Sequence, residues 1–203
     1  MTRYLKPPPQ YELVLASQSP RRKYLLSEAG IYADHAIAAD IDETPIKNER
    51  PADYVLRMAR EKAGAVANRQ GGQFILSADT AVTCGQRILP KAETAVQATR
   101  CLELLSGRSH RVYGGICLYL PDGGWRTKLS VSRVKFRPLG SADKHAYLQS
   151  GEWRGKAGGY AIQGRAGLYV RQITGSYSNI VGLDMQKVAG LLLGAGFDYV
   201  QPE

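Results

Sequence analysis

The chain has 203 residues, of which 44% are hydrophobic and 22% charged, a balance that excludes a disordered tract, a collagen-like repeat and a disulfide-framed miniprotein. Lysines and arginines number 27 against 18 acids, for a formal net charge of +9, so a polyanion is the partner that bulk charge points to: nucleic acid, an anionic membrane or a phosphate-rich small molecule. Cys84, Cys101 and Cys117 form no CxxC pair and have no histidine cluster beside them, which sets reduced thiols and a cytoplasmic location as the expectation.

Residues 1–12, with the Pro7-Pro8-Pro9 run, read as a loose N-terminal arm without the apolar stretch of a signal peptide, and residues 13–203 as one globular domain or a two-lobed single unit. Leu13-Val14-Leu15-Ala16 is short, apolar and bounded by polar residues, which predicts a buried strand. Ser19 as N-cap, Pro20 at the first helical position and Gly30 as the stop frame a helix with Leu25, Leu26 and Ala29 as its apolar face. Val55, Leu56, Ala59, Ala63 and Val66 recur at helical spacing and predict a helix over 52–67 with Arg57, Arg60 and Lys62 on its polar face.

The segment QFILSA predicts a strand over 73–78 that ends at Asp79-Thr80, and a helix is expected over 93–105 before Gly107. Two extended segments, 111–120 and 129–136, flank the Pro-Asp-Gly-Gly turn at 121–124 and predict a hairpin. A helix over 142–149, a glycine-rich stretch over 151–167, a strand over 168–173 and a helix over 184–193 follow. The run from Val188 to Phe197 is too short to cross a bilayer, which takes about 20 residues, so no membrane partner is expected. The order implies an α/β fold: a twisted mixed sheet covered by helices.

Four constellations carry chemistry. Ser17-Gln18-Ser19-Pro20-Arg21-Arg22 joins a strand to a helix; arginines there oppose the helix dipole unless an anion visits, although a plain N-cap with solvated arginines fits the same residues. Asp79, followed by Thr80, is placed by a buried strand where a carboxylate could bind a metal or take a proton from water, or simply cap a turn. Asp42-Glu43 offers hard oxygen ligands suited to magnesium, or two solvated acids, and Lys62 and Lys91 are either surface lysines or point charges for a polyphosphate. In the fourth, the glycines of GKAGGYAIQG (155–164) suggest a backbone that approaches a ligand closely, with Gln163 able to read a base edge; a tight-turn loop is the alternative.

LASQSPRR (15–22), IDETP (41–45), YVLRMAREKA (54–63), SADTAV (77–82), GEWRGKAGGYAIQG (151–164) and GSYSNIVGL (175–183) together resemble the Maf family of nucleoside triphosphate pyrophosphatases, in the same order and over nearly the whole chain. The resemblance implies a two-lobed fold similar to inosine triphosphate pyrophosphatases with a central cleft, a divalent cation (Mg or Mn), hydrolysis of a nucleoside triphosphate to monophosphate and pyrophosphate, and a homodimer. Position by position it implies Asp79 as proton acceptor and, with Glu43, metal ligand. Arg21, Thr80 and Gln163 match the specificity positions, and Ser17, Arg22, Glu43, Lys62 and Lys91 the other cleft residues.

Arg21, Thr80 and Gln163 further resemble the dTTP/UTP branch, whose two bases share one imide edge. Three positions depart from the family pattern: Gln18, Asp184, which reads as a helix N-cap, and the order Leu89-Pro90-Lys91-Ala92, which moves a proline past the lysine. Two other functions fit less of the chain: the same reaction on 7-methyl-GTP or another modified nucleotide, and a basic nucleic-acid-binding regulator of cell division. No recognition helix or aromatic stacking platform supports the last, so no stable nucleic-acid partner is expected.

Overall fold

The computed structural model describes residues 4–85 and 87–201. In chain order the elements are β1 (Tyr4–Lys6), β2 (Leu13–Leu15), α1 (Pro20–Glu28), β3 (His35–Ala36), α2 (Pro51–Ala67), β4 (Phe74–Cys84), β5 (Arg87–Leu89), β6 (Lys91–Ala92), α3 (Ala95–Leu105), β7 (Ser109–Tyr119), β8 (Trp125–Phe136), α4 (Ser141–Ser150), β9 (Lys156–Ala157), a 3-10 helix (Arg165–Tyr169), β10 (Val170–Thr174), α5 (Tyr177–Val181), α6 (Met185–Leu193) and β11 (Asp198–Val200). The main sheet is mixed and runs β10-β8-β7-β4-β2-β3, with β5 also paired to β4. Strand β2 is parallel to β3 and β4, while β4 with β5 and β8 with β10 are antiparallel.

Two compact units divide the chain. The first comprises Met1–Asp79, Gly114–Ser130 and Gly182–Glu203, the second Thr80–Tyr113 and Val131–Val181. In the first unit the alternation of strand side chains builds two cores. Leu13 and Leu15 of β2, Phe74, Leu76 and Ala78 of β4 and Ile116 and Leu118 of β7 pack with Leu26 of α1 and Val188, Leu191 and Leu192 of α6. The intervening Val14, Ile75 and Cys117 pack with Ala59, Ala63 and Val66 of α2. Period-two alternation thus places α2 on one face of the sheet and α1 with α6 on the other.

The second unit centres on aromatic side chains. Phe136 meets His110 and Tyr160 edge to face, each with ring centroids 5.0 Å apart, and Tyr169 joins Phe136 to Tyr147. Helix α3 adds Ala98, Cys101, Leu102 and Leu105 as its buried stripe, and its start is fixed by a capping box between Thr94 and Gln97.

Several expectations from the sequence are corrected. The loose arm is not loose at residues 4–6, which pair antiparallel with β11 while Leu5 enters the core. Strand β4 does not stop at Asp79; Val82–Cys84 pair with β5, so Asp79 and Thr80 lie mid-strand. Lys62 leaves the polar face of α2 and is buried, whereas Ala29 is exposed. Residues 165–169 form a 3-10 helix before β10 begins. Among the described residues no helix is long and apolar enough to cross a membrane.

Candidate active site

Two contacts hold α2 close to the sheet. A Cβ built on Gly115 of β7 would lie 2.1 Å from the Val55 carbonyl oxygen, so only glycine permits this approach. The Ser77 hydroxyl of β4 donates to the Ala59 carbonyl. Ile75 and Ser77 both address α2, and the next residue on that side of the strand is Asp79. The consequence is a buried ion pair: Lys62 Nζ of α2 donates to Asp79 Oδ1 at 2.6 Å.

The same ammonium lies 2.7 Å from Oε1 of Glu43, whose loop covers the start of α2. Tyr54 fixes that loop by donating its phenolic hydrogen to the Glu43 carbonyl at 2.9 Å. Burial, followed by the Asp79 and Glu43 carboxylates, pushes the Tyr54 phenol pKa upward and keeps it a neutral donor. The adjacent Asp42 plays a different part: exposed, it accepts the Thr44 backbone N–H at 2.9 Å, so only Glu43 of the acid pair joins the lysine.

Ser17 follows β2 and is buried. Its hydroxyl oxygen accepts the Ser19 backbone N–H at 3.2 Å and Arg22 Nη1 at 3.1 Å, while Arg22 Nε donates to the Gly182 carbonyl at 3.0 Å. Ser19 occupies the N-cap position of α1, but its side chain makes no capping bond. Burial lowers the Arg22 pKa, and the Asp79 and Glu43 carboxylates act in the opposite sense. Arg21, one residue earlier in the first turn, is half-buried.

The first unit therefore assembles Ser17, Arg22, Glu43, Lys62 and Asp79. Their formal charges cancel, two carboxylates against two cations, so an arriving polyphosphate would need further positive charge. Among the described residues no three His, Cys, Asp or Glu side chains gather as a metal cage. Glu43 and Asp79 both face the Lys62 ammonium, and their chemistry as hard oxygen donors fits magnesium or manganese, which complete their shells with substrate phosphates and water.

Thr80, Lys91 and Gln163 belong to the second unit. Thr80 continues β4 directly from Asp79. The displaced proline leaves Lys91 in regular structure: Lys91–Ala92 pairs with Lys156–Ala157, and the Pro90 carbonyl accepts the Gly158 N–H at 3.0 Å. Gln163 is exposed on a loop tied at both ends. Ala161 N–H donates to the Tyr147 hydroxyl at 2.9 Å and Arg165 N–H to Glu152 Oε2 at 2.8 Å.

The glycines before that loop have an internal reason. Gly158 and Gly159 both adopt positive φ, and a Cβ on Gly158 would lie 2.7 Å from a Val82 methyl group. Sequence reasoning did not single out Tyr54, Arg57, Glu49 or Gly182. Tyr54 and Arg57 lie on the same helical face, one turn apart, and that spacing was the available signal; Glu49 and the Gly182 carbonyl carry none.

The curated relatives share one name. A relative from Paramagnetospirillum magneticum, named dTTP/UTP pyrophosphatase, is 56% identical over 91% of this chain and 97% of its own length. One from Caulobacter vibrioides with the same name is 50% identical over 91% of this chain and 96% of its own. A solved HAM1 protein from Coxiella burnetii superposes with a TM-score of 0.48 at 19% identity, covering 91% of this chain and all of that one. The model of the Maf-like protein family matches residues 12–195, and with relatives of this identity the chain belongs to the Maf family.

Proposed function

We propose that the protein hydrolyses dTTP and UTP to the monophosphate and pyrophosphate. The observation that carries this reading is the buried Lys62–Asp79 pair, joined by Glu43, beside Arg22, in a chain whose relatives bear that activity in their names. A water would attack the α-phosphorus, passing its proton to Asp79, as the bond from the α-phosphorus to the bridging oxygen breaks and pyrophosphate leaves. Lys62 holds Asp79 in place through the 2.6 Å contact of its ammonium with Oδ1. Arg22, locked by Ser17 and the Gly182 carbonyl, offers a fixed charge to phosphate oxygens.

Glu43 and Asp79 would hold the divalent cation, which would supply the positive charge that the polyphosphate needs beyond the neutral cluster. Arg21, Thr80 and Gln163 are assigned to selection of the base and Lys91 to the polyphosphate. Residues 13–203 are read as one domain of two lobes, because β4, β7 and β8 each run without a break from one unit into the other. A cytoplasmic location accords with three free cysteines, and the homodimer implied by the family is proposed alongside, to be read by light scattering. This reading requires no stable nucleic-acid partner.

The test is pyrophosphate release from a nucleotide panel with magnesium or manganese, for wild type and Asp79→Asn. dTTP and UTP should lead, and the variant should lose at least about a hundredfold in kcat. A panel led by another nucleotide would change the substrate, and an active variant would remove Asp79 from its role.

A further inference from the structure

Glu43 has to be placed by something other than its own ion pair. Its side chain is 34% exposed, and pairs of that exposure contribute little. Its loop, residues 37–50, contains no helix or strand, and such segments lose much conformational entropy when ordered. The loop also holds Asp40 and Asn48 at positive φ, a conformation that neighbouring contacts must maintain.

At one end of the loop Arg69 Nη2 donates to the Ala38 and Ala39 carbonyls, each at 3.0 Å, while over 43–50 the contacts converge on one side chain of α2. Arg57 Nε donates to Glu49 Oε1 at 2.7 Å and Nη2 to Glu49 Oε2 at 2.8 Å, a two-pronged pair in which the Glu49 side chain is only 9% exposed. Nη2 also donates to the Thr44 carbonyl at 3.2 Å. Glu49 Oε2 in turn accepts the Ile46 backbone N–H at 3.1 Å, closing the turn from inside. Arg57 therefore grips the loop at the residue after Glu43 and again at Glu49, and Tyr54, one helical turn earlier, grips Glu43 itself. A planar guanidinium can hold both carboxylate oxygens while a third hydrogen reaches a carbonyl, which an ammonium cannot do.

We propose that Arg57, acting through Glu49 and the Thr44 carbonyl, is a positioning residue that orders residues 43–50 of the loop and so presents the Glu43 carboxylate to Lys62 and the cation. This inference rests on the proposed hydrolysis for its kinetic part only. Arg57 is not required to touch substrate; it makes the site available in advance, as preorganisation demands.

Arg57→Met, Arg57→Lys, Glu49→Gln and, as a control, Glu61→Gln test it with two readouts: hydrogen exchange of residues 43–50, and kcat with KM for dTTP. Glu61 also accepts from Arg57 but lies on α2 rather than in the loop. Arg57→Met should raise exchange across 43–50 while the β2 and β4 peptides stay protected, and lower kcat roughly tenfold to a hundredfold with KM changed much less. Arg57→Lys and Glu49→Gln, gentler changes, should fall between it and wild type on both scales, and Glu61→Gln should match wild type. Unchanged loop exchange in Arg57→Met would overturn the proposal, as would a rise of equal size throughout the first unit. If wild type hydrolyses no nucleotide, the proposed function fails and loop exchange alone decides for or against the clasp.

Discussion

The ammonium of Lys62 lies within 2.7 Å of two carboxylates, Asp79 on a central strand and Glu43 on a loop, and it is the cation between them. Removing it by Lys62→Met leaves the buried Asp79 charge without its closest partner, and stability should fall by about 3 kcal/mol. Adding Asp79→Asn should recover a good part of the loss, because the neutral amide no longer needs a counter-charge. Urea denaturation of both single variants and the double variant measures this coupling; additive losses would mean that Lys62 and Asp79 do not act as a pair.

Gly115 supports the same ion pair from a distance by letting α2 rest on β7. Gly115→Ala would drive a methyl group into the Val55 peptide unit and should cost about 3 kcal/mol, read as a lowered melting temperature. Gly64, also in the first unit, is the internal comparison. A Cβ there meets only the Trp125 side chain, at 3.3 Å, and alanine favours helix by about 1 kcal/mol, so Gly64→Ala should leave stability equal or higher.

His110 is buried among Phe136 and Tyr160, with Nε2 2.8 Å from the Tyr160 hydroxyl, and burial pulls its pKa from 6.5 down to about 4. Because the folded state holds the proton more weakly than the unfolded chain, this group favours folding above pH 6.5, and stability is lost as pH falls toward 4. The loss should reach on the order of 3 kcal/mol by pH 4. In denaturation series across that interval, His110→Gln should flatten the slope; a slope equal to wild type would assign the acid sensitivity to other groups.

Gln163 separates specificity from folding. As an exposed loop residue it should change stability by less than about 0.5 kcal/mol when replaced by alanine. Loss of an amide that reads the imide edge should lower the preference for dTTP over dCTP about tenfold, measured as a ratio of kcat/KM. An unchanged ratio would take base reading away from this residue.

The parts legible in the sequence are those where local chemistry and tertiary demand agree. Pro20 after Ser19, the Thr94/Gln97 box and Asp184, which accepts the Lys187 N–H, start helices where caps and proline should. Leu13–Leu15 is a strand because apolar residues on both faces are needed by two cores. The continuation of β4 was hidden because Asp79 and Thr80 carry the polarity of a turn, whereas the strand runs on to pair with β5 at Val82–Cys84 and the Lys62 ammonium meets the Asp79 carboxylate. Lys62 stands two turns from Val55 on the buried stripe of α2; what no local pattern shows is the partner that permits a lysine there, 17 residues away. The same holds for Arg57 and Glu49, since no spacing rule links a helix residue to the loop before it.

The pairing of Tyr4–Lys6 with Asp198–Val200 couples two segments that lie far apart along the chain. Strand β1 waits for its antiparallel neighbour until residues 198–200 have been made, so the first unit completes this pairing only then. Shortening the chain by a few residues at either side would strip the opposite segment of a strand, and Leu5 and Phe197, both in the same core, would loosen together.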